Sequence, residues 1–210
     1  MDDFPRFYQE GGFFMHPIAL CALLGAGIML ERFIVLLFRF NIDGRRFFNQ
    51  IQKLVITDDI DRAVKLCLAA EGAALARVMR AGLRCADRGR ADIASSVQEA
   101  RLEVTPTIRE RIPTIAAIAN ITMLLGLTGT VFGMIDGFSC TTVVSAELRS
   151  QALARSISLA INTTGFGLIV AIPMLAARLF VQNLASKISD EVELYAVKLE
   201  NLLAARSTRG

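Results

Sequence analysis

Residues 124–138 read LLGLTGTVFGMIDGF, a ladder of glycine and threonine inside a run that carries no charge from Ile112 to Ile135. A helix needs about 20 apolar residues to cross a bilayer, so this run predicts a membrane-spanning helix. At helical spacing Thr122, Gly126, Gly129, Thr130, Gly133 and Gly137 fall on one face, while Leu124, Leu125, Leu127, Val131, Phe132 and Ile135 cover much of the rest. Lipid tails are as apolar as leucine, so membrane helices gain little by bringing large apolar side chains together. They associate where small residues let backbones approach and where hydroxyls bond across the contact. Such a face suits contact with another helix or the lining of a lumen, and the stretch alone leaves both open.

Working outward, two more runs meet the same length rule in a chain of 210 residues with 53% hydrophobic side chains. Phe13 to Leu30 is apolar but for His16 and is extended past Glu31 and Arg32 by Phe33 to Phe38. The segment between Arg155 and Arg178 is again uncharged. The prediction is an all-α integral membrane protein with an outer segment 1–12, crossings at 13–38, 112–138 and 156–178, an inner helical region 39–111, an outer connection 139–155 and an inner C-terminal helix 179–210. Orientation follows from the basic residues, which stay on the inner side when they flank crossings. They crowd the first connection from Arg39 to Arg111 and return after the third crossing at Arg178, Lys187, Lys198, Arg206 and Arg209, whereas the first dozen residues offer only Arg6. The N-terminus is expected outside and the C-terminus inside.

The same distribution accounts for the net charge of +3 without nucleic acid, since no base-reading motif accompanies the arginines. A cleaved signal peptide does not fit the first apolar run: Asp2 and Asp3 replace a basic leader, and no small-residue cleavage site precedes Glu31 and Arg32. The four cysteines, Cys21, Cys67, Cys85 and Cys140, are expected unbridged. The single histidine, His16 beside Pro17, reads as an interfacial or helix-start residue, and no metal-ligand spacing exists. No cofactor is expected.

The inner connection reads as short amphipathic helices. Thr57, Asp58 and Asp59 offer a cap and an acidic first turn for a helix that ends by Gly72. A second runs over roughly Ala73 to Asp87, and a third begins near Asp92, whose carboxylate can cap the amides of Ile93 to Ser95. That third helix is expected to approach the second crossing with a kink or restart at Thr105 and Pro106, because proline removes a backbone donor and crowds the preceding turn. Beyond the third crossing Leu184, Ile188, Val192, Tyr195, Leu199 and Leu202 recur at three- and four-residue intervals, predicting a continued helix whose apolar stripe packs within the subunit or against neighbours. There is no phosphate-binding glycine loop and no nucleophile elbow, so catalysis on a small molecule is not expected.

The third crossing, SISLAINTTGFGLIVAIP at 156–173, concentrates Ser156, Ser158, Asn162, Thr163 and Thr164 in an apolar helix. Ser156, Ala160, Thr163, Thr164, Gly167 and Ala171 share one face. Polar groups in hydrocarbon need partners, so they are expected to meet other helices or water. With the face from Thr122 to Gly137, this gives two small polar stripes suited to a common axis in an oligomer.

These residues resemble the MotA/TolQ/ExbB proton-channel family. LLGLTGTVFGMIDGF is similar to that family's second-crossing LLGLLGTVxGMIxxF, and TTGFGLIVAIP to the TAIGLxAAIP of its third. MHPI and ERFIVL bracket the first crossing in the family manner, and DRAVKLC followed by RVMRAGL fits its inner region. Three crossings with an outside N-terminus look like the ExbB/TolQ branch. The resemblance implies a bacterial inner-membrane protein, periplasmic at its N-terminus and cytoplasmic at its C-terminus. It further implies a homopentamer around a dimer of single-pass partners of the ExbD or TolR type, whose aspartate takes a proton from outside and releases it inside. The work would serve a TonB- or TolA-linked process or a gliding-type machine. By position, Thr130 and Thr164 match the family's pore-facing threonines, with Asn162 and Thr163 added by proximity and Gly126, Gly129, Gly133, Gly137 and Gly167 packing the helices around the pore. One departure is that Leu159 stands where ExbB and TolQ proteins commonly carry a glutamate, so the titrating carboxylate is expected from the partner; Asp136 and Glu147 lie at or beyond the outer end. Sodium replaces the proton in some relatives, and a passive membrane scaffold is the alternative from a different class.

Overall fold

The computed structural model describes residues 12–40, 42–143 and 146–207. The helices are α1 Met15–Ile34, continued by a π-helical turn Val35–Phe40, then α2 Gly44–Ile56, α3 Ile60–Ala69, α4 Ala74–Arg84, α5 Arg90–Arg109, α6 Ile112–Val143 and α7 Ala146–Ser207. Three stretches, within Met15–Phe38, Arg90–Ser139 and Leu148–Arg206, are long and apolar enough to cross a membrane. The N-terminal segment with Asp2, Asp3 and Arg6, the side chains of Cys140 and Glu147, and Arg209 lie outside the described residues.

The chain divides into two compact units. The first takes α1 to Leu30 together with Arg111–Leu179. In it α1 lies against both other crossings: Met15, Ile18 and Phe166 are buried together with Leu125 and Val170 beside them, and Ile115, Ala119 and Met174 pack with Ile28, Met29 and Ile118. Gly25 leaves the space that the Met174 side chain fills. Near the start of α1 the Phe14 and Phe132 rings meet with centroids 5.3 Å apart. His16 sits in the first turn of α1, with Nδ1 at 3.4 Å from the Phe13 carbonyl, a helix-start position and so one of the two places expected of it. Leu23, Ile161 and Ile169 are more than 60% exposed. A unit surrounded by water would not leave so much apolar surface open, and hydrocarbon is the solvent that matches it.

The second unit takes Glu31–Glu110 and Phe180–Gly210. Here α4 packs against α3 and α5, and α2 against α3. Asp59 caps α3 by accepting from the Arg62 amide at 3.2 Å, and Asp43 caps α2 through the Arg46 amide at 3.1 Å. The stripe on the C-terminal part of α7 is spent within the chain: Ile188, Val192, Tyr195 and Leu199 are buried, the Phe48 and Tyr195 rings lie 5.4 Å apart, and Leu199 with Val97 fills the space over Gly82. At the end of α7 Arg206 reaches Asp58 at 2.8 Å and Asp87 at 3.2 Å, tying two turns to one helix. Asp58 has φ 61°, a left-handed turn that aspartate tolerates better than most residues.

Two details of the inner region differ from the sequence expectation. The third helix is capped by Gly89 and not by Asp92, which falls inside the first turn; an acidic side chain there still favours the free amides without being their cap. Of the kink or restart expected at Thr105 and Pro106, the restart is absent: α5 runs through Pro106 and ends at Arg109, and the helix stops at Glu110 and Arg111, where Arg111 has φ 60°. Pro106 lies on an exposed face, where the carbonyl it leaves unbonded can be solvated. Pro113 stands in the first turn of α6, where a missing amide costs nothing.

Burial pushes the Cys67 thiol from its ordinary 9.0 up to about 12, with the nearby Arg80 pulling weakly the other way. An unfolded thiol ionises near its ordinary value while the folded one stays protonated, so this group's stabilising contribution is complete below about pH 9 and is lost as pH rises through the folded value. Cys67→Ala is therefore expected to flatten the fall in chemical-denaturation midpoint between pH 9 and 11 relative to the parent chain. An identical fall in both would contradict the burial effect.

Candidate functional site

The two glycine- and threonine-bearing crossings run antiparallel and face each other. Thr122, Gly126, Gly129, Gly133 and Gly137 of α6 are buried against Ser156, Ala160, Thr163 and Gly167 of α7. In the middle backbone meets backbone: a Cβ placed on Gly126 would sit 3.3 Å from the Thr164 Cα and 3.4 Å from the Gly167 Cα, and one on Gly167 would sit 3.1 Å from the Gly126 Cα. Toward the C-terminal end of α6, Gly129 receives the Thr163 methyl, Gly133 faces Ala160 and Gly137 faces Ser156. Helices this near each other gain dispersion contacts between backbones that larger residues would forbid.

This geometry corrects the expectation that both small polar stripes turn toward a common axis. They are consumed against each other inside one chain, and Thr130 is not on the buried row. It lies one position past Gly129, on the flank of the seam. Thr164 likewise lies one position past Thr163. In antiparallel helices a one-residue step from facing rows moves to the same side of the contact, so the two threonines share a flank. Leu159, Phe166 and Val170 mark the other flank, where Leu159 lies over Gly12 and the other two pack on α1. Asn162 is three residues from Leu159 and four from Phe166, which puts it with them on the α1 side, apart from Thr164. Thr163 is fully buried in the seam and donates to the Leu159 carbonyl at 2.8 Å. Sequence proximity had grouped three residues that point in three directions.

The hydroxyl bonds are specific. Thr164 Oγ1 donates across the seam to the Gly126 carbonyl at 2.8 Å, and Thr130 Oγ1 donates to the Leu127 carbonyl within its own helix. Thr122 donates to Ile118 at 2.8 Å and is buried. With their protons directed at backbone carbonyls, Thr130 and Thr164 present lone pairs outward. Asp136 is exposed near the C-terminal end of α6. Among the described residues no cluster of three or more histidine, cysteine, aspartate or glutamate side chains could hold a metal ion.

A family model described as the MotA/TolQ/ExbB proton channel family matches residues 70–194, from just before α4 to the C-terminal part of α7. The match therefore includes the whole seam and both flanking threonines. No curated protein matches the chain.

Proposed function

Because the chain belongs to the MotA/TolQ/ExbB proton channel family, we propose that it is the channel-forming subunit of an energy converter that lets protons descend through the membrane and turns the descent into mechanical work. The observation that supports this most is the shared flank of Thr130 and Thr164, two part-exposed hydroxyls from antiparallel crossings on the side of the seam opposite α1. In the proposed assembly this flank lines a lumen between copies of the chain, five in number, around a dimer of single-pass partners of the ExbD or TolR type. Their aspartate supplies the titrating group. The basic inner region and tail set the N-terminus in the periplasm and the C-terminus in the cytoplasm of a bacterial inner membrane. The role is not enzymatic: no substrate bond is made or broken.

The hydroxyl geometry gives the scheme a direction. A threonine that already donates to a carbonyl can accept from a protonated carboxylic acid, but it must first release its own bond to donate to a carboxylate. The resting flank thus favours the neutral acid, the form that can move past apolar side chains. Each charge crossing 100 mV delivers about 2.3 kcal/mol, enough to bias steps between nearly equivalent positions. The powered process is of the TonB-linked, Tol-Pal-linked or gliding type.

Thr130→Val and Thr164→Val together are expected to leave assembly intact while lowering proton-driven activity roughly 10- to 100-fold, the equivalent of one or two lost hydrogen bonds of about 1 kcal/mol or more each. The pair of serine variants keeps the hydroxyls and is expected to retain most activity. Unchanged energy-dependent activity in the valine double variant would favour the other reading, a passive scaffold, in which the hydroxyls serve only their backbone carbonyls.

A further inference from the structure

Asn120 lies in α6 eight residues beyond Ile112, about 12 Å along the helix axis, inside the uncharged span. It is exposed, and its side-chain amide makes no hydrogen bond among the described residues. An amide left without partners in hydrocarbon is costly, so at this depth it must meet either water or a polar group of another chain.

Its place on the helix separates these surroundings. Ala116, Asn120, Met123, Leu127, Thr130 and Met134 recur at alternating intervals of four and three residues, which makes them one row. That row adjoins the one packed on α7 and lies away from Ile118, Leu125 and Phe132, which face α1. Asn120 therefore stands on the flank of Thr130 and Thr164, ten residues or about 15 Å inward of Thr130. Between the level of the threonines and the inner end of the span, it is the polar side chain that this row supplies.

We infer that Asn120 is the water-holding residue of the inner half of the ion path, positioning the water that carries a proton from the level of Thr130 and Thr164 to the inner surface. This rests on the reading of that flank as a lumen. The amide has two donors and an acceptor, so it can bond waters on both sides of itself. It does not titrate near neutral pH, so it neither holds the proton nor adds a charge to the span. The proton passes from water to water, and Asn120 is unchanged.

The test uses the full chain in membranes of its host. Asn120→Leu is expected to leave the assembled complex intact and to lower proton flux at least tenfold, and Asn120→Ser, which keeps a small polar group, to restore at least half. Cysteines placed singly at 120, 130 and 162 are then exposed, in vesicles with the inner face outward, to a small membrane-impermeant thiosulfonate cation, with labelling read above that of the parent chain. Asn120→Cys is expected to react at least tenfold faster than Asn162→Cys, which lies on the α1 side. Slow labelling at 120 with ready labelling at 130 would overturn the inference and leave the lumen standing. Slow labelling at both 120 and 130 would remove the lumen itself. Full flux in Asn120→Leu would also overturn the inference, and loss of the complex in that variant would make Asn120 an interface residue instead.

Discussion

Gly126→Leu is expected to leave no folded protein in the membrane. A Cβ at this position meets the Thr164 Cα at 3.3 Å, the Gly167 Cα at 3.4 Å and the Thr163 carbonyl oxygen at 3.4 Å. These are backbone atoms, so no rotamer change makes room; the two helices must part. Overpacking by a few methylenes against movable side chains typically costs about 1–3 kcal/mol. Here the separation also breaks the Thr164 bond to the Gly126 carbonyl and opens the contacts at Gly129, Gly133 and Gly167. The total approaches the whole stability of an ordinary domain, roughly 5–15 kcal/mol. Gly126→Ala asks the neighbours to move by only a few tenths of an ångström and is expected to fold with reduced stability. Gly165→Leu is the control, since nothing lies within 4 Å of a Cβ there. Yield of monodisperse protein in mild detergent and protease resistance read all three. A normal yield from Gly126→Leu would mean that the seam is not as closely packed as described.

The second large effect is expected at Glu110. Arg32 is only 4% exposed, and its guanidinium is held by Glu110 at 2.9 Å and by a long 3.4 Å bond to the Thr107 carbonyl, while Nε has no hydrogen-bond partner. Removing the carboxylate leaves a buried cation with one weak acceptor. Breaking a fully buried pair costs about 3–5 kcal/mol. Glu110 is 56% exposed on its side chain, so water screens part of this, and about 2–3 kcal/mol is the expectation for Glu110→Gln. At roughly 2–4 °C per kcal/mol for a chain of this size, the melting temperature falls by about 4–12 °C. Arg32→Met removes the charge together with its need for a partner and is expected within about 1 kcal/mol of the parent. Adding Glu110→Gln to it should then cost almost nothing, which is the signature of a direct pair. Additive losses in the double variant would show that the two residues act separately.

The sequence made the three crossings legible because length and absence of charge are sufficient signals in lipid, where few other structures survive. The start of α6 at Ile112 and the capping by Asp59 were readable for similarly local reasons. What could not be read was which of two adjacent helical rows does what. Gly129 and Thr130 differ by one position and both are small, so spacing alone put them on one face; only the location of α7 shows that the first is inside the seam and the second beside it. Asn162, Thr163 and Thr164 pose the same difficulty, since consecutive residues differ by about 100° around a helix. Asn120 carried a usable signal, an amide in an uncharged span, but it lay outside the glycine-rich motif and so drew no attention. Pro106 misled because proline's effect depends on whether the freed carbonyl is solvated, a matter of tertiary position.

The seam between α6 and α7 also determines the texture of what is left outside it. With the glycines turned to one another, the flank toward Thr130 presents Met123, Leu127 and Met134, each more than 40% exposed. Methionine is unbranched and polarizable, and it re-forms its contacts at little cost when its neighbour shifts. A wall of interlocked glycines would grip a passing helix in one register, whereas a wall of thioethers and leucines yields. Against a partner helix in the proposed lumen, such a surface would act as a lubricated bearing, with low friction against rotation and no deep notch in which a turning shaft would stall.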